Sequence, residues 1–404
     1  MKLDFSKFIH ALSDTVDLVG VDELQHSKRV AYMATECMKT LGGTQSQQLK
    51  VFRGGLLHDC GVSSTKVHRC LVNDFEWTES DLHCQVGASR MRKFSPLSEY
   101  ADIIRYHHTR WEDLQNVQID EEVKLNANLI YLLDRVDALS GLECLDNRLS
   151  CHKNVSEKIK KFSGTYFKKE LVDAFLETAK KEAFWITQER NYLTDYLQLH
   201  SVEFAEIPLD TEQLKDMACI FAQVVDAKSP YTAEHSFGVS RLSGYLGQRC
   251  QLEEQTCTKI EVAGLLHDLG KLQIPDEILE HDGGLSDEDL AVMRHHSYVT
   301  YMILSRIGGL EDITVWASDH HEKIDGSGYP FKKQGSELPL ESRIIMVADI
   351  FQALAQDRPY RTSLSADNIV DILQADVGCG KLDKEIVQII AADTDQCYRK
   401  AVSL

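Results

Sequence analysis

No stretch of this 404-residue chain stays apolar for the roughly 18 residues that a membrane-spanning helix requires. A helical membrane protein is therefore not expected. The first twenty residues, MKLDFSKFIHALSDTVDLVG, thread acidic side chains through the apolar ones and offer no cleavage site, so no signal peptide is expected either. The eleven cysteines include no CxxC pair, and an odd number scattered this way argues against a disulfide framework. Reduced thiols in a cytoplasm are the expectation. Positive charge is also short: 44 Lys and Arg stand against 63 Asp and Glu, a formal charge of −19. Duplex nucleic acid needs basic surface and is excluded as an expected partner. A small anionic substrate is not excluded, because metal ions and a few local Lys or Arg can invert the field inside one pocket. No sensor segment is recognisable, so control is expected at the level of expression.

What is present is an ordinary globular composition, 43% hydrophobic, in a chain long enough for two or three domains with separate cores. Apolar residues recur at helical spacing in 24–38, 49–57, 121–139, 169–187, 211–225, 255–266, 286–307 and 341–356. Asp210 or Thr211 and Ser286 are suited to cap helices, Ser286 with Asp289 in the manner of a capping box. Turn residues gather in 270–286 and 322–340, where active-site loops are expected. No alternation suggests a sheet. The expected class is all-α.

Sixteen histidines are the informative residues, and most of them belong to a repeat. His26 and His58 are 32 residues apart, as are His235 and His267; His83 and His107 are 24 apart, as are His296 and His320. The surrounding strings agree: HSKRVAYMA with HSFGVSRLS, GLLHDCG with GLLHDLG, YHHTRWED with DHHEKIDG, and LIYLLDRVDAL with RIIMVADIFQAL, which sets Asp134 against Asp349. The chain is read as a duplication of two helical domains, 1–204 and 205–404.

Each half carries, in order, His, His-Asp, His, His-His and Asp. Neutral imidazoles and carboxylates are the usual ligands of Zn, Fe or Mn. Seven such groups are too many for one ion and suit two, with Asp268 bridging. His235, His267 and Asp349 are assigned to one ion, and His296, His320 and His321 to the other. Two metals about 3.5–4 Å apart can generate a nucleophile near neutral pH and clamp a phosphate for in-line attack. A satisfied core histidine is the ordinary alternative for any one of these positions, and it is preferred for His10, His68, His152, His200 and His281, which fit no pattern. His295 is expected to be exposed.

The string HHEKIDGSGYP (His320 to Pro330), together with YTAEHS, HDLGK, RIIMVADIFQAL and DRPYR, resembles the HD-GYP phosphodiesterases, a bacterial branch of the HD hydrolases. The resemblance covers roughly residues 205–404. It implies an all-helical fold, two or three Fe or Mn ions and hydrolysis of cyclic dinucleotides, usually cyclic di-GMP. The tandem arrangement is similar to a smaller group, known from vibrios, that prefers 3′,3′-cGAMP. Carried over, it implies metal ligands at His235, His267, Asp268, His296, His320, His321 and Asp349. Asp268 and Lys271 would be catalytic, the ammonium stabilising charge or protonating the leaving oxygen. Arg358 and Arg361 would hold the second phosphate with guanidinium forks, a surface role being the alternative. Tyr329 would line the pocket, while Glu322 and Asp325 would brace the loop.

Two departures from the family pattern bear on these expectations. Some members place a Glu four residues before the first histidine to hold a third metal; here that residue is Tyr231, so a binuclear site is expected. The motif DxFDAL has Gln352 in place of its second acid. An amide both donates and accepts, so Gln352 is expected to alter base contacts and to favour a mixed adenine–guanine substrate. The first half keeps His26, His58, Asp59, His83, His107, His108 and Asp134 as candidate metal ligands, with Asp22 four residues before His26 as a further carboxylate or a plain cap. It lacks the lysine after His-Asp and the GYP loop. It resembles a generic HD domain, a class that includes 5′-nucleotidases and inactive regulators. Two readings of the chain compete: an enzyme opening a cyclic dinucleotide, 3′,3′-cGAMP ahead of cyclic di-GMP, with a 5′-nucleotidase in its first half; or a cyclic-dinucleotide-binding regulator without catalysis. A nuclease would share the metal chemistry but lacks basic surface.

Overall fold

The computed structural model describes residues 1–18, 25–62, 80–143, 147–200, 206–228, 233–279, 281, 283–357 and 362–402. Among these residues the regular structure is helical apart from one pair of three-residue strands. The chain divides into two compact units, Phe5–Ala205, and Met1–Asp4 with Glu206–Leu404. The first four residues thus lie in the second unit, not in the first half where the repeat alone would put them. The cause is local: β1 (Lys2–Asp4) pairs antiparallel with β2 (Glu206–Pro208), with Leu3 opposite Ile207. The terminal ammonium donates to Leu209 O at 3.1 Å, and Leu209 N donates back to Met1 O at 2.8 Å. Three-residue strands are too short to leave an alternation in the sequence.

In the unit Phe5–Ala205 the helices His26–Thr40, Gln45–Leu57 and Glu121–Glu143 pack on one another around Val30, Met33, Leu56, Ile130 and Leu133. Each fully buried side chain of this size contributes about 1.5–3 kcal/mol. Thr44 starts the second of these helices through a capping box: Gln47 N donates to Thr44 Oγ1 at 3.3 Å and Thr44 N to Gln47 Oε1 at 2.9 Å. The expected helix 169–187 is interrupted, running Lys169–Thr178 and then Glu182–Ile186. Trp185 Nε1 donates to Ala179 O at 2.9 Å across the break, which lets both Phe184 and Trp185 enter the core.

The second unit repeats the plan with Ala233–Arg249, Glu254–Leu266 and Leu340–Ala355, sealed by Val239, Leu242, Ile260, Ile344 and Phe351. Asp210 caps the helix Thr211–Lys228, accepting from Gln213 N at 2.8 Å, and Ser286 caps Asp287–Leu304, accepting from Asp289 N at 3.1 Å. Glycine sets the spacing that places the histidines. A Cβ on Gly55 would lie 2.6 Å from Ala31 Cα, and one on Gly264 3.0 Å from Ser240 Cα. Each glycine therefore lets two helices touch one turn before His58 or His267 ends the helix.

Candidate metal centres and active site

In the second unit the seven expected ligands come from five helices and the loops that end them. His235 lies on Ala233–Arg249, His267 and Asp268 follow Glu254–Leu266, His296 is on Asp287–Leu304, His320 and His321 follow Glu311–Ser318, and Asp349 is on Leu340–Ala355. The structure brings all seven together. Asp268 Oδ2 is 3.5 Å from His235 Nε2 and 3.2 Å from His267 Nε2, while Oδ1 is 3.6 Å from His296 Nε2 and 3.9 Å from His320 Nε2. Asp349 Oδ1 is 3.2 Å from His235 Nε2, and its Oδ2 is 3.9 Å from His321 Nδ1. One carboxylate thus divides its two oxygens between two histidine groups.

The hydrogen bonds behind the rings say what the cluster is built to hold. Nδ1 of His267, His296 and His320 donates to the carbonyls of Gly264, Met293 and Ala317 at 2.7, 2.6 and 2.7 Å. A carbonyl can only accept, so each ring carries a proton on Nδ1, and the Nε2 of His296 and His320, whose rings burial keeps neutral, presents a lone pair. His296 and His320 nevertheless point Nε2 at Nε2 across 3.0 Å. Two lone pairs at that distance repel unless a cation accepts both, so the donor set fits a metal ion. Outward carbonyl partners are also the usual means of orienting a metal-ligating histidine. Burial pushes His296 down to about 4 and His321 to about 3, so both rings are neutral near pH 7. Burial would raise Asp268, but His267, Lys271 and His235 outweigh it and hold the carboxyl well below its usual range. Lys271 Nζ lies 2.5 Å from Asp268 Oδ2, at the edge of the cluster.

The loop that follows is held from inside. Glu322 is fully buried and accepts from Phe331 N at 2.6 Å and Lys333 N at 3.1 Å; Asp325 accepts from Ser327 N at 2.9 Å. A Cβ on Gly328 would lie 2.4 Å from Glu322 Cα, so only glycine lets the loop fold back this far. The fold-back puts the Tyr329 ring 4.8 Å from His321, with the Arg294 guanidinium 5.5 Å from that ring on its other neighbour, a residue with no signal in the motif string.

The first unit assembles its own set in the same order. Asp59 Oδ2 is 3.7 Å from His26 Nε2 and 3.4 Å from His58 Nε2, and Oδ1 is 3.6 Å from His83 Nε2. Asp134 lies 3.3 Å from His26 Nε2 and 3.5 Å from His108 Nε2. His58 and His107 donate from Nδ1 to Gly55 O and Ile104 O at 2.8 and 2.7 Å. Nε2 of His58 is buried and has no hydrogen-bond partner, the mark of a lone pair kept for something else. Burial, then His83 and His58, take His107 down to about 3.

An HD domain model matches residues 24–139 and another residues 212–386. The 3′3′-cGAMP-specific phosphodiesterase 1 of Vibrio cholerae serotype O1 is 35% identical over 397 residues, 97% of this chain and 92% of that protein. The chain belongs to the HD-GYP family of cyclic dinucleotide phosphodiesterases. Its other relatives in the HD-GYP family include the 3′3′-cGAMP-specific phosphodiesterase 3 of the same organism, 32% identical over 52% of this chain and 46% of that protein. A cyclic di-GMP phosphodiesterase response regulator of Xanthomonas campestris pv. campestris is 33% identical over 41% of this chain and 45% of that one. The crystal structure of a cyclic GMP-AMP-specific phosphodiesterase of V. cholerae shares the fold, with a TM-score of 0.65 at 22% identity, over 97% of this chain and 98% of that one.

Within the HD-GYP pattern one expectation changes place. Gln352, expected to contact a base, is buried behind His235, whose Nδ1 donates to its Oε1, and its amide nitrogen reaches Gln356 Oε1 at 3.3 Å. The matching residue in the first unit is Asp137, which takes His26 Nδ1 at 2.7 Å and is clamped by Arg29 Nε and Arg148 Nη1, each at 2.7 Å. Asp137 stands three residues after Asp134, one turn along the same helix, and that spacing was the signal available for it. Arg135, beside Asp134 with Nη2 at 2.9 Å, had none. Arg358, Arg361, Tyr231, Asp22 and His68 lie outside the described residues, as does the side chain of His200. His295 and His281 are exposed, His10 packs at 5.8 Å from the Phe52 ring and His152 at 6.2 Å from Trp185.

Proposed function

We propose that the second unit hydrolyses 3′,3′-cGAMP, adding water across one phosphodiester and releasing a 3′-oxygen to give the linear 5′-phosphorylated dinucleotide. The observation that carries this reading is the division of Asp268 between two histidine groups with Lys271 at its edge. Two divalent cations, Fe or Mn, held by His235, His267, Asp349 and by His296, His320, His321, with Asp268 between them, would supply an activated water and charge neutralisation for the phosphate. Lys271 offers an ammonium beside that carboxylate to meet negative charge on the departing oxygen. Tyr329 closes the pocket over His321. Likeness along the whole chain to a cGAMP-specific enzyme supports the mixed substrate over cyclic di-GMP. The test is product chromatography of the manganese-loaded protein with 3′,3′-cGAMP, cyclic di-GMP and cyclic di-AMP in separate reactions, beside His267→Ala/Asp268→Ala. Fastest loss of cGAMP, abolished in the variant, is expected. Equal binding without turnover of any of the three would make the chain a sensor.

A second activity is favoured by the complete ligand set of the first unit. It would remove the 5′-phosphate of the linear product, with Arg135 beside Asp134 supplying the cation that Val62 does not. In His58→Ala/Asp59→Ala, inorganic phosphate release should cease while ring opening persists; unchanged release would end this reading.

A further inference from the structure

We propose that the first-unit centre is a mixed nitrogen–sulfur site, with Cys84 as a ligand, and that it selects zinc where the second-unit centre takes a harder ion. The proposal rests on the reading that both clusters hold metal. Its starting point is a substitution between the two copies: the residue after the third histidine is Cys84 in the first unit and Ser297 in the second. Both side chains turn inward. Ser297 Oγ is 3.3 Å from His296 Nε2, and Cys84 Sγ is 3.8 Å from His83 Nε2 and 3.5 Å from His107 Nδ1. Two ligands sharing a tetrahedral zinc at about 2.3 Å for sulfur and about 2.0–2.1 Å for nitrogen stand about 3.6 Å apart. The Cys84–His83 separation is close to that value. A ligand atom from each of His83, Cys84 and His107 lies within 4.8 Å of the others, and all three residues are buried. The His83 and His107 Nε2 atoms are 3.2 Å apart, and Asp59 Oδ1 is 3.6 Å from His83 Nε2, so sulfur joins an existing donor set and does not stand alone.

A second observation at the same centre points to an ion. His58 Nε2 faces the cluster, is buried, and has no hydrogen bond, although its Nδ1 is fixed by Gly55 O. His83 differs from its counterpart too. His296 Nδ1 is locked by Met293 O, whereas His83 Nδ1 is buried without a hydrogen-bond partner. Sulfur thus stands 3.8 Å from the Nε2 of a ring whose Nδ1 no hydrogen bond holds, and beside His107, whose Nδ1 is fixed by Ile104 O. Soft thiolate with imidazole selects zinc, while serine oxygen, imidazole and carboxylate leave the second centre to iron or manganese. On binding, the thiol proton passes to solvent and sulfur coordinates as thiolate.

The test uses the full chain stripped of metal and reloaded with cobalt(II). A sulfur-to-cobalt charge-transfer band in the near ultraviolet is expected, lost in Cys84→Ser while the visible cobalt bands remain. Loaded from an equimolar zinc–manganese mixture, the wild type should hold zinc in the first unit, and Cys84→Ser should lose roughly 10–100-fold in zinc affinity there. Ser297→Cys should add a second charge-transfer band. If cobalt fills both centres without the band, Cys84 is a buried core thiol and the proposal fails. If His58→Ala/Asp59→Ala binds as much cobalt as the wild type, the metal reading of the first unit fails, which is a separate outcome.

Discussion

The two units present the same seven donors in the same order and differ in what stands behind them. In the second unit His235 leans on a neutral amide, Gln352, and the position three residues after that histidine is Gly238. In the first, His26 leans on the carboxylate of Asp137, and the position three residues on is Arg29. These are a matched change. A Cβ on Gly238 would already lie 2.7 Å from Gln352 Cγ and 2.3 Å from Ala401 O, so an arginine has no room there and a carboxylate would have no guanidinium to meet. In the repeat Lys271 corresponds to Val62, Ser297 to Cys84, and Ile350 to Arg135. Duplication kept the donors and the carbonyls behind His58 and His107, as behind His267 and His320, and changed these other neighbours, which help to set charge, ligand basicity and access to a phosphate.

Six substitutions and one titration would break or sharpen this contrast. The largest effect is expected from Lys271→Met: kcat for ring opening should fall about 10²–10³-fold with metal content unchanged, as for removal of a group that meets transition-state charge. The reverse change, Val62→Lys, should leave ring opening untouched. Next, Asp137→Asn strands the buried guanidiniums of Arg29 and Arg148 and should cost about 3–5 kcal/mol in urea unfolding of the first unit. Gln352→Ala strands no charge; its effect should appear in metal titration, as a loss of roughly 10–100-fold at the second centre.

Smaller again are Gly270→Ala and Gly61→Ala. Their Cβ atoms would meet His296 O at 2.0 Å and His83 O at 1.9 Å, and overpacking of this kind costs about 1–3 kcal/mol. The first should depress ring opening and the second only phosphate release. The smallest effect is on pH. In the metal-free chain His296 is pushed down to about 4 and His321 to about 3, and His83, His108 and His320 are lowered as well, in each case chiefly by burial. His26 and His267 move the other way: burial lowers them, but Asp134 and Asp137, or Asp268, outweigh it. A depressed histidine binds its proton more readily when unfolded, so its contribution is intact above 6.5 and declines as pH falls toward 4. The depressed group is the larger, so the urea midpoint of the stripped protein should drop between pH 7 and pH 4.5, and bound metal should remove most of that slope.

The helices and the donors were legible because they repeat: equal separations between histidines need no knowledge of packing. The sign of each neighbouring group was not. Gln352 reads as a departure within a motif, but only the approach of two helices shows that it meets His235, 117 residues away in sequence. Cys84 was visible as the neighbour of His83, yet nothing in a string says that a side chain one residue along a helix turns into the same cavity. The strand Lys2–Asp4 was invisible because three residues carry no period.

That strand has a consequence for how the chain is made. The second unit owns the first four residues and everything from Glu206 onward, so the first unit is an insertion within it. A ribosome would deliver the strand Lys2–Asp4 before Phe5–Ala205, and Glu206 onward only after both. The first unit can finish folding while the second is still being synthesised, as inserted domains fold in units. Once parted by a protease cut near residue 205, the two pieces would accordingly not be two finished proteins: the second would lack a strand partner for Glu206–Pro208, with Ile207 uncovered where Leu3 had been.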